Sequence, residues 1–290
     1  MRFDGIQILR AIAANAVVLR HVQAIEQKFT QGQGFLPEWF EWLGVLGVDV
    51  FFVISGFVII KAATRENWRE FIFARITRIY PTYWVYTTIF VAIYFAVPSS
   101  MSDRSGVSLI GSYLLWPTNG GTFLAVGWTL IHEMYFYLVV TAMLAIRAPA
   151  AWMLLAWGVV IALSPLVVNP NNQIEYVVFN PLTFLFILGG FLGLLKTSVV
   201  PTKYGSAAGR LAVLLGDASY STYLGHVLVV SAIWRVAYFF PIHPSALLIA
   251  LSIIGANAVG VVSFRWIERS ILKLAKSQRS RMLGWFEFSQ

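Results

Sequence analysis

Eight mostly apolar stretches, each near the roughly 17 to 25 residues that cross a bilayer, recur along the chain. They lie near 6–25, 43–60, 79–97, 126–146, 150–168, 178–195, 217–240 and 245–265. In hydrocarbon every backbone N–H and C=O must be satisfied within the segment or a closed barrel, so runs of this length form helices. The expected fold is all-α, a polytopic bundle of about 8 to 10 transmembrane helices. Composition agrees: 58% of the 290 residues are apolar and 12% charged, with mean hydropathy +0.73, where a soluble domain is about half apolar and a quarter charged. Shorter apolar pieces at 109–116 and 211–215 fit re-entrant or interfacial turns, or halves of extra spans. Gly216, Asp217, Ala218 and Ser219 read as an N-cap opening the seventh span.

The net charge of +8 is read through its distribution. With the N-terminus inside, inner loops carry Lys61, Arg65, Arg69, Arg75, Arg78, Arg147, Lys196, Lys203 and Arg210. The C-terminal part adds Arg265, Arg269, Lys273, Lys276, Arg279 and Arg281, whereas outer loops hold Lys28 and Arg104 against Glu26, Glu38, Glu41, Asp103 and Glu175. This is a positive-inside pattern with both termini cytoplasmic. A transmembrane domain is expected over 1–270 and a basic cytoplasmic tail over 271–290, the tail lying on anionic membrane lipid rather than on nucleic acid. The first segment is not read as a cleavable signal, because Arg10 interrupts it and Arg20 and His21 stand where small residues would be. Zero cysteines exclude disulfides, thiolate carriers and cysteine-bound zinc. Four histidines without an i, i+4 pair give no reason to expect a metal.

Ionisable groups at membrane depth are costly and face a bundle interior or a wet cavity, so function is sought there. Arg10 and His21 are eleven residues apart on the first span, nearly one helix face. Arg20 points elsewhere and snorkels outward. Asp49 lies in Gly47-Val48-Asp49-Val50-Phe51-Phe52-Val53-Ile54-Ser55-Gly56-Phe57. Trp128, Thr129 and Leu130 open the fourth span before His132, Glu133, Phe136 and Tyr137, and Ser219-Tyr220-Ser221-Thr222-Tyr223-Leu224-Gly225-His226 opens the seventh. At about 1.5 Å per residue, His21 lies roughly 22 Å from the inner edge, while Asp49 and Glu133 lie roughly 10 Å below the outer one, in one layer of a core about 30 Å thick. His226 falls nearer mid-depth, and Arg75 and Arg78, three apart, stand at the inner mouth as forked donors able to grip phosphate. His132 is expected to pack, and His243, between Pro241 and Pro244, to lie in an outer turn. Gly189, Gly190, Gly193, Ala256 and Gly260 form small faces for close helix packing.

These motifs resemble the membrane acyltransferase-3 family, in particular its short members that decorate bacterial exopolysaccharides with acetyl groups. The resemblance rests on Leu9 to Ala14 with His21, the Gly47 to Phe57 run, Arg75-Ile76-Thr77-Arg78-Ile79-Tyr80-Pro81, Trp128 to Leu130 with Glu133, and the Ser219 to His226 run. The chain departs from the family at Arg269-Ser270, where a proline commonly follows the glutamate that Glu268 resembles, and in showing eight spans where the family often has ten. Larger members of the family carry an extracytoplasmic hydrolase-like domain that is not read in this sequence, so any second transfer step is expected to need a partner protein or not to occur.

The resemblance implies a membrane O-acyltransferase of the bacterial inner membrane, an enzyme moving an acyl group, acetyl first, from cytoplasmic acyl-CoA to a hydroxyl of an exopolysaccharide or another cell-surface glycan. Acetyl-CoA enters as donor substrate, with no permanently bound cofactor. Lipid-linked or growing polysaccharide, membrane lipids and polysaccharide assembly proteins are the expected partners. Arg10, Arg75, Arg78 and Ser55 would bind the donor. A neutral His21 would act as general base, or in a variant form a covalent acyl-histidine, with Glu133 orienting it or receiving its proton and Asp49 supporting that network. Trp128, Tyr137, Tyr223 and His226 would line the acceptor or channel. The alternative is a secondary transporter or flippase, since buried acid, histidine and arginine groups also serve relays, and a third is a structural subunit of an export machine. The apolar spans show no evident inverted repeat of broken helices.

Overall fold

A computed structural model describes residues 4–32, 34–97, 104–195, 206–240 and 245–277, and among these there is no strand. The expected positions Asp103, Lys196, Lys203, Pro241, His243, Pro244, Arg279 and Arg281 lie outside the described residues. The helices are α1 (Asp4–Phe29), α2 (Phe40–Ala63), α3 (Trp68–Ala96), α4 (Leu109–Leu114), α5 (Gly127–Ala145), α6 (Ala150–Val167), α7 (Gln173–Val178), α8 (Thr183–Leu194), α9 (Ala207–Asp217), α10 (Ser219–Phe239) and α11 (Ser245–Ser263). A π-helical turn at Phe264–Glu268 follows α11, and the chain stays helical to residue 277.

Seven of the described segments are long and apolar enough to cross a membrane: α1, α2, α5, α6, α7 with α8, α10 and α11 with its continuation. The expected 79–97 span is the second part of α3, whose first turns carry Arg69, Glu70, Arg75 and Arg78. Asn67 caps α3 by accepting from the Glu70 N–H at 3.0 Å. The expected single span at 178–195 is broken at Asn180-Pro181, where the Asn180 side chain accepts from the Leu182 N–H at 3.0 Å.

The expected N-cap at 216–219 is not formed. Ala218 continues the helical backbone with φ −83° and ψ −4°, its N–H bonds to Leu214 O, and no side chain caps α10. The reason is α9, an amphipathic helix that holds the unassigned piece 211–215 and delivers the chain to α10 already coiled. The other unassigned piece, 109–116, holds the six-residue α4.

The chain divides into two compact units, 1–51 with 197–266 and 52–196 with 267–290. In the first, Val18 and Val22 of α1 pack with Val230 and Trp234 of α10 and Leu248, Ile249 and Ala256 of α11. Asn15 and Asn257 bridge α1 and α11 by paired amides, Asn257 Nδ2 donating to Asn15 Oδ1 at 2.7 Å. Beyond α1 the buried Glu26 carboxylate accepts the Phe35 and Leu36 N–H groups at 2.8 and 3.0 Å, which ties down the following loop. Gly260 lies so close to Thr222 that a methyl would collide with it.

In the second unit an aromatic core joins four elements: Phe136 stacks on Phe186 with centroids 4.1 Å apart and meets Phe52 and Trp157 edge-on at 5.6 and 5.8 Å. α2 and α8 approach to backbone contact, because a side chain at Gly189 would strike Val53 O and one at Gly56 would strike Phe186 O. The small residues of 189–193 thus pack as expected.

Candidate active site

In the first unit the polar centre is a pair of histidines. α1 carries His21 and α10 carries the wholly buried His226, whose Nε2 lies 3.2 Å from His21 Nδ1 with the rings at 73°. His21 Nδ1 is also 2.9 Å from Val17 O, one turn back. His226 Nδ1 faces Tyr223 O at 2.7 Å and Thr222 O at 3.2 Å. Tyr223 is buried beside the His226 ring, 5.9 Å between centroids, and meets Phe51 edge-on at 6.0 Å. Arg10 is half-buried on α1, and the uninterrupted helix keeps it on nearly the His21 face. Asp49, half-buried on α2, makes no hydrogen bond or ion pair with any described residue. Arg20 turns away to Glu41, 3.3 Å distant.

In the second unit Glu133 is the centre. Tyr137, one turn along α5 and buried, donates to Glu133 Oε1 at 2.5 Å, and Ser55 Oγ on α2 approaches the same oxygen at 3.4 Å. Sequence spacing finds the first contact, since i and i+4 share a face; the second depends on packing. His132 packs as expected: it is buried, its Nδ1 bonds to Trp128 O at 2.9 Å, and Phe52, half-exposed Trp128 and Tyr176 surround it edge-on.

Arg75 and Arg78 stand on α3 with carboxylate partners that the sequence did not pair with them. Arg78 Nη1 is 2.6 Å from Glu268 Oε1, a carboxylate only 1% exposed on the π-helical turn. Arg75 Nη2 is 3.9 Å from Glu66 Oε2, a charge contact rather than a hydrogen bond, and its guanidinium lies over the Phe71 ring, 5.4 Å from the centroid. The buried Arg75 Nε has no hydrogen-bond partner. A guanidinium has five N–H donors, and Arg75 meets its carboxylate only as a charge contact, which leaves it capacity for an anion. Among the described residues no group of histidine, aspartate and glutamate side chains is arranged to hold a metal.

The structure therefore brings His21 to His226, Glu133 to Ser55 and Tyr137, and Arg78 to Glu268. The first offers an imidazole in a protein-lined setting, the second a carboxylate held by hydroxyls, and the third an arginine paired with a buried carboxylate.

No solved structure matches the chain. It is similar to the exopolysaccharide production protein ExoZ of Rhizobium meliloti (strain 1021), with 29% identity covering 82% of this chain and 92% of that protein. The family model described as an acyltransferase domain matches residues 3–216, from α1 to α9, a stretch that holds Arg10, His21, Asp49, Arg75, Arg78 and Glu133. The chain belongs to that family of membrane acyltransferases, Acyl_transf_3.

Proposed function

We propose that the protein is an O-acyltransferase of the bacterial inner membrane that moves an acetyl group from cytoplasmic acetyl-CoA to a hydroxyl of an exopolysaccharide. Both termini face the cytoplasm in this reading, as the distribution of basic residues requires. The observation that carries it is an imidazole base, His21, within a membrane helix of a chain in an acyltransferase family, whose curated relative is an exopolysaccharide production protein.

The donor's phosphates are held by Arg75 and Arg78, Arg75 through a guanidinium whose buried Nε meets no hydrogen-bond acceptor among the described residues, and Arg10 is a further cation for the donor. His21 takes the proton from the acceptor hydroxyl as the oxygen attacks the thioester carbonyl, and the coenzyme A thiolate leaves. Glu133, held by Tyr137 and Ser55, supplies a fixed negative charge to the chemistry. Trp128, partly exposed beside His132, offers a face for a sugar ring.

Purified protein in detergent, given labelled acetyl-CoA and exopolysaccharide from a strain lacking the gene, should label the glycan. His21→Ala should abolish labelling, and Arg75→Ala with Arg78→Ala should raise the donor concentration needed. Full transfer by His21→Ala, at normal protein level, would overturn the assignment of the base. Absence of transfer in detergent together with uptake into closed vesicles would instead mark a transporter.

A further inference from the structure

We infer that His226 is a positioning residue for His21: it accepts the Nδ1 hydrogen of His21, keeps Nε2 as the basic nitrogen, and shares the positive charge His21 gains during transfer. The inference rests on the reading of His21 as the base and assigns His226 a role other than lining the channel.

The hydrogen positions follow from the acceptors. Tyr223 O and Thr222 O can only accept, so His226 Nδ1 carries a hydrogen, and in the neutral ring Nε2 is then a lone pair. That lone pair faces His21 Nδ1 at 3.2 Å, and Val17 O faces the same nitrogen at 2.9 Å. Two acceptors on one nitrogen place the His21 hydrogen on Nδ1, which leaves Nε2 unprotonated. A hydrogen bond that fixes one ring nitrogen so that the other can react is how histidines are held in one tautomer.

Burial makes the arrangement specific. His226 is 0% exposed, and its two carbonyl contacts fix the plane of the ring. Val17 O and His226 Nε2 share the His21 hydrogen, and the His226 lone pair is the acceptor that strengthens when the His21 ring becomes cationic.

The step balances. The acceptor hydroxyl's proton moves to His21 Nε2 as its oxygen bonds to the thioester carbon. The C–S bond then breaks, and the leaving thiolate recovers that proton from Nε2. The Nδ1 hydrogen of His21 stays directed at Val17 O and His226 Nε2 throughout, so neither histidine is consumed.

Three variants test this with labelled acetyl-CoA and exopolysaccharide. His226→Leu removes the acceptor and should lower kcat about 10- to 100-fold, the scale seen when the outer hydrogen-bond partner of a metal-bound histidine is lost, with the donor KM unchanged. His226→Gln, whose Oε1 reaches the place of Nε2, should restore most of kcat. His226→Asn, whose shorter side chain cannot reach His21, should behave as the leucine variant, and it replaces that variant if leucine prevents folding. Equal kcat for Gln and Asn, or a donor KM that moves together with kcat in both, overturns the positioning role. If His21→Ala is inactive in that same set, the base reading stands and the role of His226 alone has failed; if His21→Ala is active, both fall.

Discussion

Tyr137 donates its hydroxyl hydrogen to Glu133 Oε1 at 2.5 Å, and the two residues are one helical turn apart on α5. A hydrogen bond to a charged acceptor contributes about 1.5 to 3 kcal/mol, and Ser55, at 3.4 Å, is a weak substitute. Tyr137→Phe should therefore lower transfer by up to about 10- to 100-fold while the buried ring, edge-on to Phe71, preserves the fold. Steady-state kinetics with acetyl-CoA check this, and parental activity in the variant would detach Glu133 from the chemistry.

Glu268 and Arg78 make a separable prediction. Glu268→Leu leaves Arg78 without its carboxylate and should lower stability by about 1 to 3 kcal/mol, at the low end for a broken pair because Arg78 is a quarter exposed. Adding Arg78→Met should recover most of the thermal midpoint in detergent, since a buried ion pair is often replaceable by apolar residues. Transfer at low acetyl-CoA should stay impaired in the double variant. Recovery of both stability and donor affinity would remove Arg78 from the donor site.

Asn257→Ala should loosen the joint between α1 and α11. It removes the donor to Asn15 Oδ1 and leaves that oxygen unmet, a loss of about 0.6 to 2 kcal/mol for an interhelical contact in a membrane. A fall in the thermal midpoint with unchanged donor KM is expected. Asn257→Asp is the informative companion, because it keeps the size but discards the amide donor.

Topology is testable without background, since the chain has no cysteine. Glu38→Cys and Arg65→Cys place single thiols on exposed residues at opposite ends of α2. A membrane-impermeant maleimide should label the first from the periplasm in intact spheroplasts, and the second only after lysis. The reverse pattern would invert the proposed orientation, and with it the side from which the donor arrives.

The spans were legible because hydrocarbon imposes length and apolarity directly: 126–146 and 150–168 differ from α5 and α7's predecessor α6 by about one residue at an end. Less legible was whatever packing decides. Counting depth from residue 217 put His226 near mid-depth, away from His21. The count assumed that α10 starts at the membrane edge, but α9 runs straight into it, and Gly216 is packed against the backbone of Gln7 on α1. Likewise the pairing of Arg78 with Glu268 joins residues 190 positions apart, a distance at which hydropathy and helical spacing carry no signal. The Glu133 to Tyr137 contact was readable because one helix makes both residues neighbours.

The π-helical turn at Phe264–Glu268 sets the angular register of the chain beyond it. A π turn accommodates one residue more than an α turn, so Glu268 is offered to Arg78 from a widened turn rather than a regular one. Deleting one residue there would let an ordinary α turn form while the helix beyond keeps its register, whereas the same deletion inside α11 would rotate everything after it by about 100°. The turn is thus a place where this helix can lose a residue without turning its far end away from Arg78.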